Sequence, residues 1–379
     1  MWHAKRPPAR PGVQTHGRAR AAADQMARRI RRTRSQGIPA LVLLTSLWSG
    51  CAAVDNGEHA TAGPVVPRTE LAAHAVAAAA PNESSASQQD CVASAVVAMR
   101  HRTPVATYYD HKLALVSGTV YAWDGADAPR AVLHGAVQVA VGDTRAYALD
   151  DRRRLIAWQA GSDRREVLLD DVVFIAAGKS GLLVIRCDGS LWERSSVQGE
   201  WLRSAEAAVQ AWVGDGANYF VNADARLFAR GQAHRGQYGD GLLTESPHWT
   251  PVAQDVVAVV AHTGHALYLR ADGRVLGTGG NRFGPLGGHG FGDKADTWGF
   301  QFAGVRRIAT GSRQSMAIRL DGSLWVWGEG AGLLPRRILE DVVACSSGQA
   351  DSIALTADGV LWQWAPGQLP RRRELSTLQ

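Results

Sequence analysis

Few residues in this chain are spaced to do covalent chemistry. Gly178-Lys179-Ser180 has the residue types that end a phosphate-cradling loop, where backbone N–H groups and a Lys hold phosphoryl oxygens. Val173 stands where the first glycine of such a loop belongs, so phosphate chemistry is not expected there. Gly288-His289-Gly290-Phe291-Gly292 and Gly328-Glu329-Gly330-Ala331-Gly332 lack both dinucleotide spacing and a following helical pattern, and read as turns. Cys-x-x-Cys, His-Glu-x-x-His and Gly-x-Ser-x-Gly do not occur. No catalytic residue, metal or cofactor is therefore assigned.

Contact chemistry is better represented. The stretches LLTESPHWTPVAQ at 242–254 and GHGFGDKADTWGFQF at 288–302 leave the pattern of their surroundings and read as long surface insertions. They carry His248, Trp249, His289, Phe291, Lys294, Asp296, Trp298 and Phe300, a mixture of aromatic and charged groups suited to a binding patch. The competing reading is that Trp249 and Trp298 cover the edges of sheets.

The elements that would position this patch are legible as a repeat. From about residue 105 an apolar stretch, a turn often written Asp-Gly and a second apolar stretch recur seven times, ending in Trp123, Trp158, Trp327 and Trp364 in four copies. Aligned on the turn, the markers are Gly118, Arg153, Gly189, Ala225, Gly273, Gly322 and Gly359, spaced by 35, 36, 36, 48, 49 and 37 residues. Asp-Gly between apolar runs predicts a tight antiparallel hairpin, because Gly accepts the positive φ such turns need. Ahead of most hairpins comes a segment of Val and small residues ending in Gly, such as VQVAVG at 137–142 and VRRIATG at 305–311. Small side chains suit strands crowded about an axis, and hairpins apolar on both faces suit sheets packed between two neighbours. Together these predict an all-β, seven-bladed propeller.

Two copies extend further. Arg230-Gly231-Gln-Ala-His-Arg-Gly236-Gln-Tyr-Gly239 and Thr278-Gly-Gly-Asn281-Arg-Phe-Gly284-Pro-Leu-Gly287 place their glycines at matching offsets from the turn. With the small-residue strands, these motifs resemble the repeat of the regulator-of-chromosome-condensation family over about residues 105–366. That resemblance implies seven blades and, from secreted members, partner proteins held by loops on one face. Five copies lack the second half of the motif, and the family's second-strand His occurs once, as His265. The DGSLW strings at 188–192 and 321–325 are similar to the Asp-box of sialidases but differ from it in spacing, and the hairpin turn accounts for them.

Charge places the chain rather than its ligand. The formal net charge is +6, but residues 1–50 hold ten Lys or Arg against one acid, leaving the remainder slightly acidic. A nucleic-acid partner is therefore not expected. Residues 1–50 read as an export leader, with Arg28 to Arg34, an apolar run from Ile38 to Trp48 and then Ser-Gly-Cys; Met26 offers a second start. The run is short for a permanent span. It is similar to a bacterial lipoprotein signal, with Cys51 as the lipidated residue and plain secretion as the alternative. Residues 51–90 are poor in aromatics and read as a flexible linker, and residues 91–379 as the propeller. Ring closure would make Cys91 and Cys345 neighbours able to form a disulfide; the alternative is that Cys91, Cys187 and Cys345 are buried thiols. The reading as a whole is a monomeric, non-enzymatic scaffold of the cell envelope, touching the membrane only through its anchor and binding a protein, peptide or glycan. A hydrolase or lyase with its site in the central funnel is the alternative, and would gather acidic or His side chains near the axis.

Overall fold

The computed structural model describes residue 91 and residues 100–159, 161–195, 199–288 and 292–375. The leader, Cys51, the linker, His289 and Phe291 lie outside the described residues. Within them the regular elements are strands, gathered into seven antiparallel sheets of four, each sheet one continuous meander.

Blade 1 is β1 (Val105–Tyr108), β2 (His111–Val116), β3 (Thr119–Asp124) and β4 (Arg130–His134). Blade 2 is β5 (Ala136–Val141), β6 (Arg145–Asp150), β7 (Leu155–Gln159) and β8 (Glu166–Leu169). Blade 3 is β9 (Val172–Gly178), β10 (Gly181–Arg186), β11 (Leu191–Arg194) and β12 (Leu202–Ala205). Blade 4 is β13 (Ala208–Val213), β14 (Ala217–Asn222), β15 (Leu227–Gly231) and β16 (Ser246–Ala253). Blade 5 is β17 (Val256–His262), β18 (His265–Arg270), β19 (Val275–Gly280) and β20 (Lys294–Phe302). Blade 6 is β21 (Val305–Thr310), β22 (Gln314–Arg319), β23 (Leu324–Gly328) and β24 (Gly332–Leu339). Blade 7 is β25 (Val342–Ser347), β26 (Ser352–Thr356), β27 (Leu361–Trp364) and β28 (Arg371–Arg373).

The hairpin markers carry the sequence pattern into the fold. All seven have positive φ, from 59° at Ala225 to 85° at Gly322. In the DGSLW copies the side chains finish the turn. Ser190 and Ser323 each donate their backbone N–H to the preceding Asp188 or Asp321 carboxylate at 2.9 Å, and their hydroxyls accept the indole N–H of Trp192 or Trp325 at 2.8 Å. A second left-handed residue, with no marker in the sequence, sits in each of the six links between blades: Gly135, Asp171, Ala207, Asp255, Gly304 and Asp341. It turns the chain from the rim back to the axis. The first N–H of the next blade then donates to the marker carbonyl of the blade before, as Val172 does to Arg153 and Val305 to Gly273, both at 3.0 Å.

First strands line the axis in chain order, and β25 meets β1 to close the ring. Their terminal glycines are required by close approach of backbones. A Cβ on Gly178 would stand 2.8 Å from the Val213 carbonyl oxygen, and one on Gly311 would stand 2.4 Å from that of Gly348. Gly178-Lys179-Ser180 is thus a strand end packed against the next blade. Trp158, Trp327, Trp364 and Trp123 each wedge against the preceding blade, the last across the closing joint between blades 7 and 1. Burying such an indole is worth about 3–5 kcal/mol against Ala.

That closing joint exchanges no strand. Lys112, its side chain wholly buried, reaches Asp351 at 3.1 Å; Trp123 Nε1 donates to Gln363 Oε1 at 3.1 Å, and Thr107 N–H to Ser346 Oγ at 3.1 Å. The expected Cys91–Cys345 pairing is corrected: Cys91 is bonded to Cys187 in the blade 3 hairpin, and Cys345 is a buried free thiol. Cys91 does not dock on blade 7, because the chain leading into blade 1 lies over blades 2 and 3. Thr103 hydrogen-bonds Val139, and the Arg102 guanidinium donates to the Val173 carbonyl at 3.1 Å.

Candidate binding face

In every blade the first strand starts at one face of the ring and ends at the other. The hairpins between second and third strands and the lead-in residues 100–104 mark the first face. The connections from third to fourth strands mark the second, here termed the loop face. The two long copies of the motif fold alike there. Gly236 N–H donates to Ala233 O and Gly239 N–H to Gly236 O, matched by Gly284 to Asn281 and Gly287 to Gly284 at 2.7–3.0 Å. Tyr238 and Leu286, at equivalent positions, are buried beneath these turns. The glycines at 231, 236, 239, 284 and 287 all have positive φ, so the motif is a scaffold for the loops.

Exposed apolar side chains gather on this face. Leu242 and Leu243 follow the blade 4 turns, Phe283 stands on the blade 5 turn, Leu333 and Leu334 open β24, and Tyr109 follows β1. The Arg313 guanidinium lies 4.4 Å from the Phe283 ring centroid and donates to Glu329 at 2.9 Å. Aromatic, aliphatic and guanidinium groups presented together are the composition of a contact surface.

The two stretches read as insertions are corrected: most of each is the fourth strand of its blade, β16 or β20. As outermost strands these have a free edge and a half-exposed face, which is why apolar periodicity faded there and Pro247 and Pro251 are tolerated. His248 and Lys294 are exposed near the loop-face ends of these strands, and Asp296 and Phe300 fall within β20. Both tryptophans pack inward. Trp249 Nε1 donates to Ser204 Oγ at 2.8 Å, its ring meets Phe220 edge-on at 4.9 Å, and Arg230 covers it at 4.5 Å. Trp298 meets Tyr268 edge-on at 4.4 Å, and a Cβ on Gly239 would stand 2.4 Å from its Nε1. One indole therefore fills the gap between blades 3 and 4, the other that between blades 4 and 5.

The channel holds about 120 Å³ and is walled largely by small apolar residues such as Val139, Ala140, Ala176, Ala211, Val260 and Ala309. Gln138 and Gln210 stitch this wall, each amide donating to and accepting from the backbone of the next blade. At the first face the mouth is cationic, lined by Arg100, His101, Arg306 and Arg307. Burial, then Arg307 and Arg100, push His101 down to about 4. At the loop face the mouth holds Tyr108, Asp215 and His262. Tyr108 reaches from blade 1 across to blade 4, donating its hydroxyl to Asp215 Oδ1 at 3.0 Å, and Thr263 Oγ1 donates to Asp215 Oδ2 at 2.8 Å. Burial and the Asp215 carboxylate raise the Tyr108 phenol above its ordinary range, keeping it a donor. None of these three was singled out from the sequence, since they come from blades 1, 4 and 5 and share no motif. His265 lies between blades 5 and 6, with Nε2 2.5 Å from Thr310 Oγ1, and burial pushes it down to about 3. Among the described residues no three His, Cys, Asp or Glu side chains are gathered for a metal.

Solved structures share this architecture at low sequence identity. Prp20p from Saccharomyces cerevisiae, described with its binding to Gsp1p and histones, matches at 17% identity and a TM-score of 0.57, covering 66% of this chain and 81% of its own. The fold is an RCC1-like seven-bladed propeller. Human WBSCR16 matches at 18% identity and 0.56, covering 65% and 85%. The ectodomain of the Arabidopsis thaliana receptor kinase ACR4 matches at 13% and 0.50, covering 72% and 97%. No family model matches the sequence.

Proposed function

We propose that this protein is a non-enzymatic scaffold of the cell envelope, exported and anchored through lipid on Cys51, that holds a protein partner on its loop face. The observation that carries the reading is the cluster of exposed Leu242, Leu243, Phe283 and Leu333 around neighbouring loops. Apolar groups gathered on one face, with Arg235, Arg282 and Arg313 nearby, are expected of an interaction site. Prp20p, a propeller of this fold, is described as binding proteins, which supports the same use here. The hydrolase reading is disfavoured by the small-residue channel wall and by the single acid and imidazole at the loop mouth, which have no nucleophile within hydrogen-bonding reach of the free His262 nitrogen among the described residues. Binding of a peptide or a glycan would use the same loops.

The test is capture by the full-length anchored chain after cross-linking in intact cells. Leu242→Asp, Leu243→Asp and Phe283→Asp together should abolish the cross-linked species while leaving the melting temperature within about 2 °C, as for surface changes. Capture that survives this triple change refutes the face assignment. Cys51→Ala should release the protein from the membrane fraction; unchanged partitioning refutes the anchor.

A further inference from the structure

On the loop face a cavity of about 430 Å³ opens between blades 1 and 2. Its cause is a short connection. Residues 125–129 join β3 to β4, whereas residues 232–245 and 281–293 make the same step in blades 4 and 5. Each long connection leans over the third strand of the next blade and is bonded to it five residues past the hairpin marker. Thr278 Oγ1 donates to Gly236 O, and Trp327 Nε1 to Pro285 O, both at 2.7 Å. Tyr238 and Leu286 then fill the space beneath the turns, and in blade 5 the accepting carbonyl belongs to the residue just before the buried leucine.

Trp158 holds the same position in blade 2, five residues past Arg153. The short connection of blade 1 gives it no acceptor. Its ring lines the cavity and is 2% exposed, and its Nε1 has no hydrogen-bond partner among the described residues. The unpartnered indole nitrogens of Trp298 and Trp362 are sealed from the surface; that of Trp158 is not, so a molecule entering the cavity can reach it. An indole N–H in an apolar site without an acceptor is destabilising, and a carbonyl brought to it recovers that loss. Arg165 lies over the ring at 5.0 Å and donates to the Ser162 and Val132 carbonyls, which fixes the direction of the indole. In the flanking blades the same position is satisfied from within: Trp123 donates to Gln363 at 3.1 Å, and Arg194 to the Gly199 carbonyl at 2.7 Å.

We infer that the gap between blades 1 and 2 is a socket for a turn of a partner protein bearing a leucine after a proline: the leucine enters between Leu113, Val141 and Ala146, and the proline carbonyl accepts from Trp158 Nε1. The occupant is named by the fold itself, since Pro285 and Leu286 hold the equivalent place against Trp327 at the joint of blades 5 and 6. The inference rests on the loop face as the binding face and adds a site there, apart from the apolar cluster of blades 4 to 6. A saccharide hydroxyl shares the acceptor oxygen but not the apolar side chain, so the two kinds of occupant are separable.

The experiment follows the Trp158 indole N–H by heteronuclear NMR of the full chain, its signal identified by its loss in Trp158→Phe. The probe is acetyl-Asn-Arg-Phe-Gly-Pro-Leu-Gly-amide, which copies residues 281–287, with a version carrying Pro-Asp in place of Pro-Leu and with chitotetraose as comparisons. The expected result is a saturable downfield shift of that signal with the Pro-Leu peptide, and binding at least about tenfold weaker for the Pro-Asp version, which cannot bury its side chain. Val132→Trp, which fills the cavity from its wall, should abolish the shift and leave the melting temperature within about 2 °C. In the unaltered protein, no shift at about 5 mM peptide, equal binding of the two peptides, or a shift with chitotetraose alone overturns the inference. Peptide binding with partner capture that survives the Leu242, Leu243 and Phe283 changes would sink the face reading alone; capture lost as expected, with no peptide shift, would sink this inference alone.

Discussion

Removing the Asp351 carboxylate should be far more damaging than removing its partner. Lys112 has no exposed side-chain surface, whereas Asp351 is 18% exposed and also accepts Gln363 Nε2 at 2.7 Å. In Asp351→Ala the ammonium stays buried, with the Asp110 and Gly125 carbonyls as its remaining partners. Leaving one member of a buried pair uncompensated costs about 3–5 kcal/mol. For a domain of this size that is a fall of roughly 6–15 °C in melting temperature. Lys112→Met removes the charge itself and fills similar volume, leaving Asp351 with Gln363 and water, so about 1–2 kcal/mol is expected. The double variant should resemble Lys112→Met, giving a coupling of about 3–5 kcal/mol, equal to the whole Asp351→Ala loss. Urea unfolding of all four proteins, with hydrogen exchange followed in blades 1 and 7, measures this. Additive effects, or an Asp351→Ala loss below about 1 kcal/mol, would show that the pair does not hold the closing joint.

Four further outcomes are expected. Ala225→Gly, at φ 59°, should stabilise by up to about 1 kcal/mol, while Gly189→Ala, at φ 77° with the added Cβ at an ordinary 3.6 Å from Ala207 Cα, should destabilise by about 1–2 kcal/mol; thermal melts decide both. Trp249→Ala and Trp298→Ala should each lose about 3–5 kcal/mol of stability, and unchanged melting would restore them as surface contacts. Peptide mapping under non-reducing conditions should find Cys91 joined to Cys187, with Cys345 alkylated only after denaturation because burial pushes its thiol up to about 12. His265, held near 3 when folded and near 6.5 when unfolded, gives the unfolded chain the extra proton between those values. Stability should therefore be full above about pH 6.5 and fall as pH drops toward 3, with a slope of up to about 1.4 kcal/mol per pH unit from this residue; His265→Gln should flatten the fall.

The blade count, the hairpins and the crowding of first strands were legible because each is local. Asp-Gly sets a turn within four residues, and Gly178 and Gly311 each answer a close approach of the next blade at the end of a first strand. What was not legible depends on which chain ends meet across the ring. The link residues Asp171, Ala207, Asp255 and Asp341 bear side chains that rarely take positive φ, so no marker shows them. The fourth strands β16 and β20 read as insertions because an outer edge needs no apolar alternation. The partner of Cys91 depended on the path of the segment before blade 1, which no repeat constrains. Likewise Tyr108, Asp215 and His262 meet only because three distant strands end at one mouth.

Each blade is one unbroken length of chain, and six of the seven joints carry the backbone across while the seventh is held by non-covalent contacts alone. The order in which blades are translated is therefore separable from their order around the circle. A gene rearranged to begin at blade 4, with residue 375 spliced by a short connector to residue 104, should rebuild the same circle with its discontinuity moved elsewhere. Such a protein would lose the covalent tie at Cys91 and the Arg102 and Thr103 hydrogen bonds to blades 2 and 3, and its two new ends would lie beside Ala207, on the face away from the loops.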